Sequence, residues 1–389
     1  MQKDFHYYAT YAAANIAGFS PEESLVIAYS AQLVDECSKT FLIKVKGPLT
    51  AATTQLQSEL SECGEDIFTL QDITRIWSSF HFLPGNLNAS YPRRTKRFLY
   101  KYRLICNVNS DLEVLMLKKH KGHSLQAYGM CMHVLADTWA HRYFAGTPSF
   151  VINDGTDFFE ILKNEAGEEL EKKIRFMHNP LKADNFSDNT YINSINQDNE
   201  KSIMNLGHGR AGHLPDYSFI KYKYLPSWGD YVYLIKDNPT EYYLAFCQMV
   251  YALKYLRGDI EDFKKDVYDF ESVESYKDEI YGILQKRQLD SCEDWKAFGE
   301  KLTGKSIEDF DLFKYQNEYT EASKEEKTNT FLGRFFSAAI DQKILVTDSI
   351  FNSGNPLAGY SVEKASRGLG AIKDLIIVGK NTLRRIFHE

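Results

Sequence analysis

Apolar positions along much of this chain recur at helical spacing, and the elements they predict are mainly helices. Residues 4–17 read as a short helix stopped by Gly18. Ser20-Pro21-Glu22-Glu23 then supplies an N-cap, a first-turn proline and a capping-box glutamate for a second helix running to about Cys37. Ile27, Ala31 and Val34 form its apolar stripe, while Gln32 and Asp35 share an adjacent face. Pro84-Gly85-Asn86 marks a turn shortly after His81. Leu112, Leu115 and Met116, followed by Leu125, Tyr128, Met132, Leu135 and Trp139, predict one or two helices over 110–142. Segment 153–202 is rich in Asn, Asp, Glu and Lys and low in apolar periodicity, which predicts a surface helix and a long polar loop forming a lid or insertion. A Gly/His-rich turn follows at 205–216, and helix resumes over about 239–257 behind Asn238-Pro239-Thr240-Glu241.

The expected fold is therefore all-α. A helical metal-binding catalytic domain is expected over 1–260, followed by a C-terminal helical region over 261–389 with an interaction or membrane-surface role. That region ends in apolar and basic runs, GAIKDLIIVGKNTLRRIF.

Composition narrows the function classes. Hydrophobic residues at 43% and charged residues at 25% describe a globular chain. The 25 Tyr and 25 Phe suit walls that are apolar on one side and wet on the other. A net charge of −7 and a pI near 5.9 argue against a protein that coats nucleic acid by general attraction. Six scattered cysteines without a CxxC pair suggest neither a zinc ribbon nor a disulfide framework. No window approaches the roughly 20 apolar residues that span a bilayer. The opening MQKDFHYYATYAAANIAG has a short apolar run broken by Asn15 and no basic region ahead of it, so no signal peptide is expected. A cytoplasmic location follows, with delivery as an effector by a route needing no such signal as the alternative.

The chemistry concentrates on histidine and aspartate. In MHVLADTWAH, His133, Asp137 and His141 are spaced i, i+4 and i+8; each helical step of four advances only about 40°, so all three share one face. Two imidazoles with a carboxylate able to span two ions are what a multinuclear site needs. GHGRAGHLPD forms a second centre, where glycines at 207, 209 and 212 let His208, His213 and Asp216 converge. His6, Asp35 and His81 complete the expected ligands. Arg93, Arg94 and Arg97, in the basic aromatic run YPRRTKRFLYKYR, are expected to bind a phosphate-bearing substrate, with a solvated helix face as the alternative. GxSxG, GxxxxGK[ST], HExxH and GxGxxG motifs are all absent.

Taken in order, DFHYYATYAAANIAGFSPEESLVIAYSAQLVDE, FHFLPGN, MHVLADTWAHRYFAG and GHGRAGHLPD resemble DUF6765, a bacterial family of unknown function, over roughly residues 1–260. More remotely, the helical His-x3-Asp element and the histidine after it are similar to the zinc-dependent phospholipase C and P1/S1 nuclease superfamily. That resemblance implies an all-helical bundle holding three zinc ions, with His6, Asp35, His81, His133, Asp137, His141, His213 and Asp216 in a similar chain order. The chain departs from it in beginning with Met1 where those proteins use an N-terminal tryptophan freed by export, and His213-x2-Asp216 replaces a four-residue helical step.

These readings lead to a hydrolase of a phosphodiester or related ester. Two or three zinc ions, or other divalent transition metals, would activate water, with Asp137 or Asp35 bridging and Asp216 accepting a proton. A phospholipid is favoured over a nucleic acid, and peripheral membrane contact is expected from the C-terminal runs. The rival expectation is a non-enzymatic helical module whose metal site is structural and whose C-terminal third binds a partner protein. A nuclease of the P1 type is the remaining alternative.

Overall fold

The computed structural model describes residues 1–62, 67–195 and 197–359. The C-terminal run on which the membrane-contact expectation rested lies outside them. Among the described residues no helix is long and apolar enough to cross a membrane.

A helix spanning Leu125–Ala140 runs through the middle of the molecule, with every residue after Leu125 buried. It is apolar around most of its circumference, as a helix must be when neighbours cover all its sides. Helices Pro21–Glu36, Asn238–Arg257, Phe331–Asn352, Asp111–His120 and Ile67–Phe80 pack around it. The capping signal at its partner is realised in full: Ser20 Oγ accepts from the Glu23 amide at 3.2 Å and the Glu23 carboxylate accepts from the Ser20 amide at 2.9 Å. Gly129 lets the two helices touch, since a β-carbon there would lie 2.1 Å from the carbonyl oxygen of Ile27.

Among the described residues six strands overturn the all-α expectation. These are β1 (Gly155–Lys163), β2 (Glu169–Lys173), β3 (Arg175–Met177), β4 (Thr190–Ile192), β5 (Lys221–Pro226) and β6 (Leu234–Asp237). Four of them form an antiparallel sheet in the order β2-β1-β5-β6, with Glu160 opposite Tyr222 and Tyr222 opposite Lys236. The short β3 and β4 pair in parallel. The fold is mixed α/β, and the polar segment 153–202 contributes strands where a surface helix and loop were expected. The strand signal was present in Lys221-Tyr222-Lys223-Tyr224, whose tyrosines are buried and whose lysines are not. Composition hid the rest, because β2 (ELEKK) is exposed at every position and has no apolar face to betray it. Phe82, Cys106, Phe144, Phe158, Tyr191, Tyr222 and Tyr224 form a second core beneath the sheet.

The last third folds back onto the first. Helix Cys292–Thr303 packs against the N-terminal turn, where Trp295 meets Phe5 edge-on at 5.9 Å, and helix Phe331–Asn352 covers the central helix.

Candidate metal centre

Five segments deliver polar groups to one buried place. The chain opens with a π-helical turn, Asp4–Ala9, a wide turn often found at functional sites. It is pinned by Asp4, whose carboxylate accepts from the amides of Phe5 at 2.7 Å and Ser291 at 3.0 Å. This aims His6 and the α-amino group of Met1 inward. Asp35 comes from the last turn of helix Pro21–Glu36, and His81 follows helix Ile67–Phe80. The central helix supplies His133 and Asp137 one turn apart, with His141 as its C-cap residue. The Gly/His turn supplies His208 and Asp216.

Asp137 stands between two groups of donors. Its Oδ1 is 2.8 Å from the Met1 nitrogen and 3.1 Å from His6 Nε2. Its Oδ2 is 3.2 Å from both His81 Nδ1 and His133 Nε2. Asp35 Oδ1 lies 3.8 Å from each of those two nitrogens. On the other side, Asp216 Oδ1 is 3.3 Å from the Met1 nitrogen and 3.4 Å from His141 Nε2, and Asp216 Oδ2 is 3.8 Å from His208 Nε2. Among the described residues three groups could each hold an ion, the first two sharing His133: His6, His133 and Asp137; Asp35, His81 and His133; His141, His208 and Asp216.

The proton positions decide what this arrangement can do. His81 Nε2 is 3.0 Å from the carbonyl oxygen of Thr53, His141 Nδ1 is 2.8 Å from that of His81, and His208 Nδ1 is 2.8 Å from that of Gly212. A carbonyl only accepts, so each of those nitrogens carries the hydrogen and donates it. The opposite nitrogens, His81 Nδ1, His141 Nε2 and His208 Nε2, therefore present lone pairs to carboxylate oxygens. Lone pair against lone pair repels unless a cation lies between, and a histidine with its second nitrogen on a backbone carbonyl is how proteins orient metal ligands.

Charge leads to the same place. Burial holds His6, His133 and His208 down at about 4, so these imidazoles are neutral near pH 7. Burial pushes the Asp137 carboxyl up, but His141, the Met1 ammonium, His133 and His6 outweigh it and hold it well below the usual range. Burial likewise opposes ionisation of Asp216, and His208 with the ammonium overcomes it. The ammonium itself is lowered by burial yet raised further by Asp137 and Asp216, to about 11. Asp137 and Asp216 thus share one fixed cation, while burial raises the carboxyl of Asp35 beside them, a crowding of buried carboxyl groups that bound cations would offset.

Of the ligands expected from sequence, His6, Asp35, His81, His133, Asp137, His141, His208 and Asp216 are brought together. His213 is not: its Nδ1 is 3.3 Å from Asp184 and its side chain is 56% exposed. Asp184 in turn accepts from Tyr217 Oη at 2.6 Å. Arg93, Arg94 and Arg97 lie on the surface, with Arg94 paired to Asp230 at 2.6 Å.

Sequence reasoning missed the Met1 nitrogen, a backbone group that carries no side-chain signal. It also missed a bracket at 236–242. There the fully buried Lys236 donates to the Trp139 carbonyl at 2.6 Å, capping the central helix, and pairs with Glu241. Asn238 Nδ2 donates to the carbonyls of Leu214 and Tyr217, both at 2.8 Å, and Tyr242 Oη donates to that of Pro215 at 2.9 Å. Together they hold the loop bearing Asp216 against the helix end bearing His141.

No curated protein and no solved structure matches the chain. A model of a family of unknown function, DUF6765, matches residues 1–350, and the chain belongs to that family.

Proposed function

We propose that this protein is a metal-dependent hydrolase of phosphodiesters whose centre holds two or more divalent transition-metal ions. The observation that carries the reading is the set of imidazole lone pairs turned toward the oxygens of Asp35, Asp137 and Asp216, with Asp137 shared between the two sides. Asp35, His81, His133 and Asp137 would hold one ion. Asp137, His141, His208 and Asp216 would hold another, and His6 faces Asp137 where a third would sit. Ions so placed supply an acidified water and positive charge for phosphoryl oxygens. Zinc suits a set of imidazoles and carboxylates.

The chain's own residues keep the centre open on one side. Asp35 is 29% exposed while Asp137 is sealed, so a substrate approaches over Asp35 and Asp137 fixes the spacing behind it. The order of donors along the chain is similar to that of the zinc phospholipase C and P1 nuclease superfamily, which makes a phospholipid and a single-stranded oligonucleotide the first two substrates to assay.

Elemental analysis of the purified chain tests the reading. About two to three equivalents of transition metal are expected, with hydrolysis of one of the two substrates lost on chelation and restored by the metal. Less than one equivalent, together with unchanged behaviour of His133→Ala, sinks the metal centre. Stoichiometric metal without turnover in phosphoester and carboxylester screens would favour a centre that only braces the fold.

A further inference from the structure

The hairpin joining β5 to β6 ends in a tip that neither the fold nor the metal centre uses. Tyr231 is 92% exposed and Val232 63%, and they are followed by the half-exposed Tyr233 and by Ile235 at 56%. Asp230 and Tyr231 both sit in the left-handed region, at φ 48° and 65°. Glycine or asparagine takes such positions at little cost and a tyrosine does not. A large ring is therefore held in water, on a strained backbone, at the furthest point of a hairpin.

A basic segment meets this hairpin on one side. Tyr91 Oη donates to the Trp228 carbonyl at 3.1 Å, and Arg94 pairs with Asp230 while lying over the rings of Tyr91 and Phe98 at 5.1 and 4.9 Å. These contacts fasten the basic segment 91–103 to the base of the hairpin. With Asp230 engaged by Arg94, the exposed Arg93 and Arg97 stand next to Arg94 and three residues on from it in the chain. Lys223 lies 4.9 Å from the Tyr233 ring on the outer face of the sheet, where Glu171 pairs with it at 2.5 Å.

We propose that this hairpin and its arginines dock the protein on an anionic lipid surface, with Tyr231 and Val232 entering the interface and Arg93 and Arg97 meeting lipid phosphates. Tyrosine is at home where one end is apolar and the other wet, and arginine binds phosphate oxygens with two parallel hydrogen bonds. The aliphatic Val232 and Ile235 decide between polyanions: they gain from acyl chains and have no face on which a nucleic-acid base could stack. This surface is built from residues remote from the metal ligands in the chain, and the inference stands whether or not that centre hydrolyses anything.

Co-sedimentation of the full chain with vesicles tests it. Phosphatidylcholine alone should bind weakly, and an equal mixture with phosphatidylglycerol strongly, with binding that falls as salt is raised. Tyr231→Ser with Val232→Ser should cut binding about tenfold or more. Arg93→Gln and Arg97→Gln should each cost about fivefold, and more salt should narrow that difference. All four positions are exposed, so unchanged thermal melting should accompany these losses. The proposal is overturned if mixed vesicles do not bind, if binding survives both the tip and the arginine changes, or if the chain binds a single-stranded oligonucleotide and ignores vesicles.

Discussion

The two sides of the donor cluster are built by different means. His133 and Asp137 stand one turn apart on a helix that is buried all round, so covalent helical geometry places them. His208 and Asp216 stand on an irregular turn and owe their position to hydrogen bonds donated by Asn238 and Tyr242 and to the one that His208 donates to the Gly212 carbonyl. A helical ligand pair can be read from its spacing. A looped pair depends on residues far away in sequence, and nothing in its own spacing says which of its histidines turns inward.

The strongest way to break this comparison is Asp137→Asn. Asp137 faces both sides, so metal content measured by elemental analysis should fall by more than about 100-fold in affinity on both. Retention of one full equivalent would show that the two sides are independent sites. Next in size, His208→Ala should remove about one equivalent and leave the ion held by His81 and His133, whereas His133→Ala should do the reverse. Equal losses from both variants would merge the two sides into one cooperative site. Asn238→Ala should be milder: an indirect loosening of the Asp216 loop costs about 10- to 100-fold in affinity on the loop side alone. An equal loss on the helical side would show that the bracket supports the whole molecule and not one loop.

The smallest effect belongs to the foundation of the helical side. Glu113, on the helix packed beneath the central one, is buried, and burial raises its carboxyl from 4.5 to about 7, against the opposing amides of Asn109 and Ser110. A group raised in the folded state contributes stability that is full below pH 4.5 and lost as pH climbs through about 7. Glu113→Gln should flatten that part of the stability curve in a thermal melt series, raising the melting temperature above pH 7 relative to the parent. Parallel curves for the two chains would place the pH dependence elsewhere.

Much of this architecture was legible. The capping box at Ser20, the central helix and its His133-Asp137 pair all follow from local rules that tertiary structure left standing. The sheet was not, because β2 is exposed at all five positions, four of them charged, and β1 has a register shift between Thr156 and Phe159 that interrupts its alternation. His208 and His213 had the same surroundings in sequence; only the Gly212 carbonyl and the Asp184 carboxylate, met in space, separate them. The Met1 nitrogen had no pattern to be found by. Loop geometry and chain ends are set by long-range contacts, and these leave no period in the sequence.

Gly129 lies one turn before His133, and the stretch it touches, from Ile27 to Ala31, lies one to two turns before Asp35. A residue that ligates nothing thus acts as a gauge for the gap between facing ligands. One added methyl at Gly129 would push the two helices apart and move Asp35 away from His81 and His133 while leaving every donor chemically intact. The expected signature is a change in which ion the site prefers, toward larger cations, ahead of any loss of the fold. Competition between zinc and a larger divalent ion would read it directly.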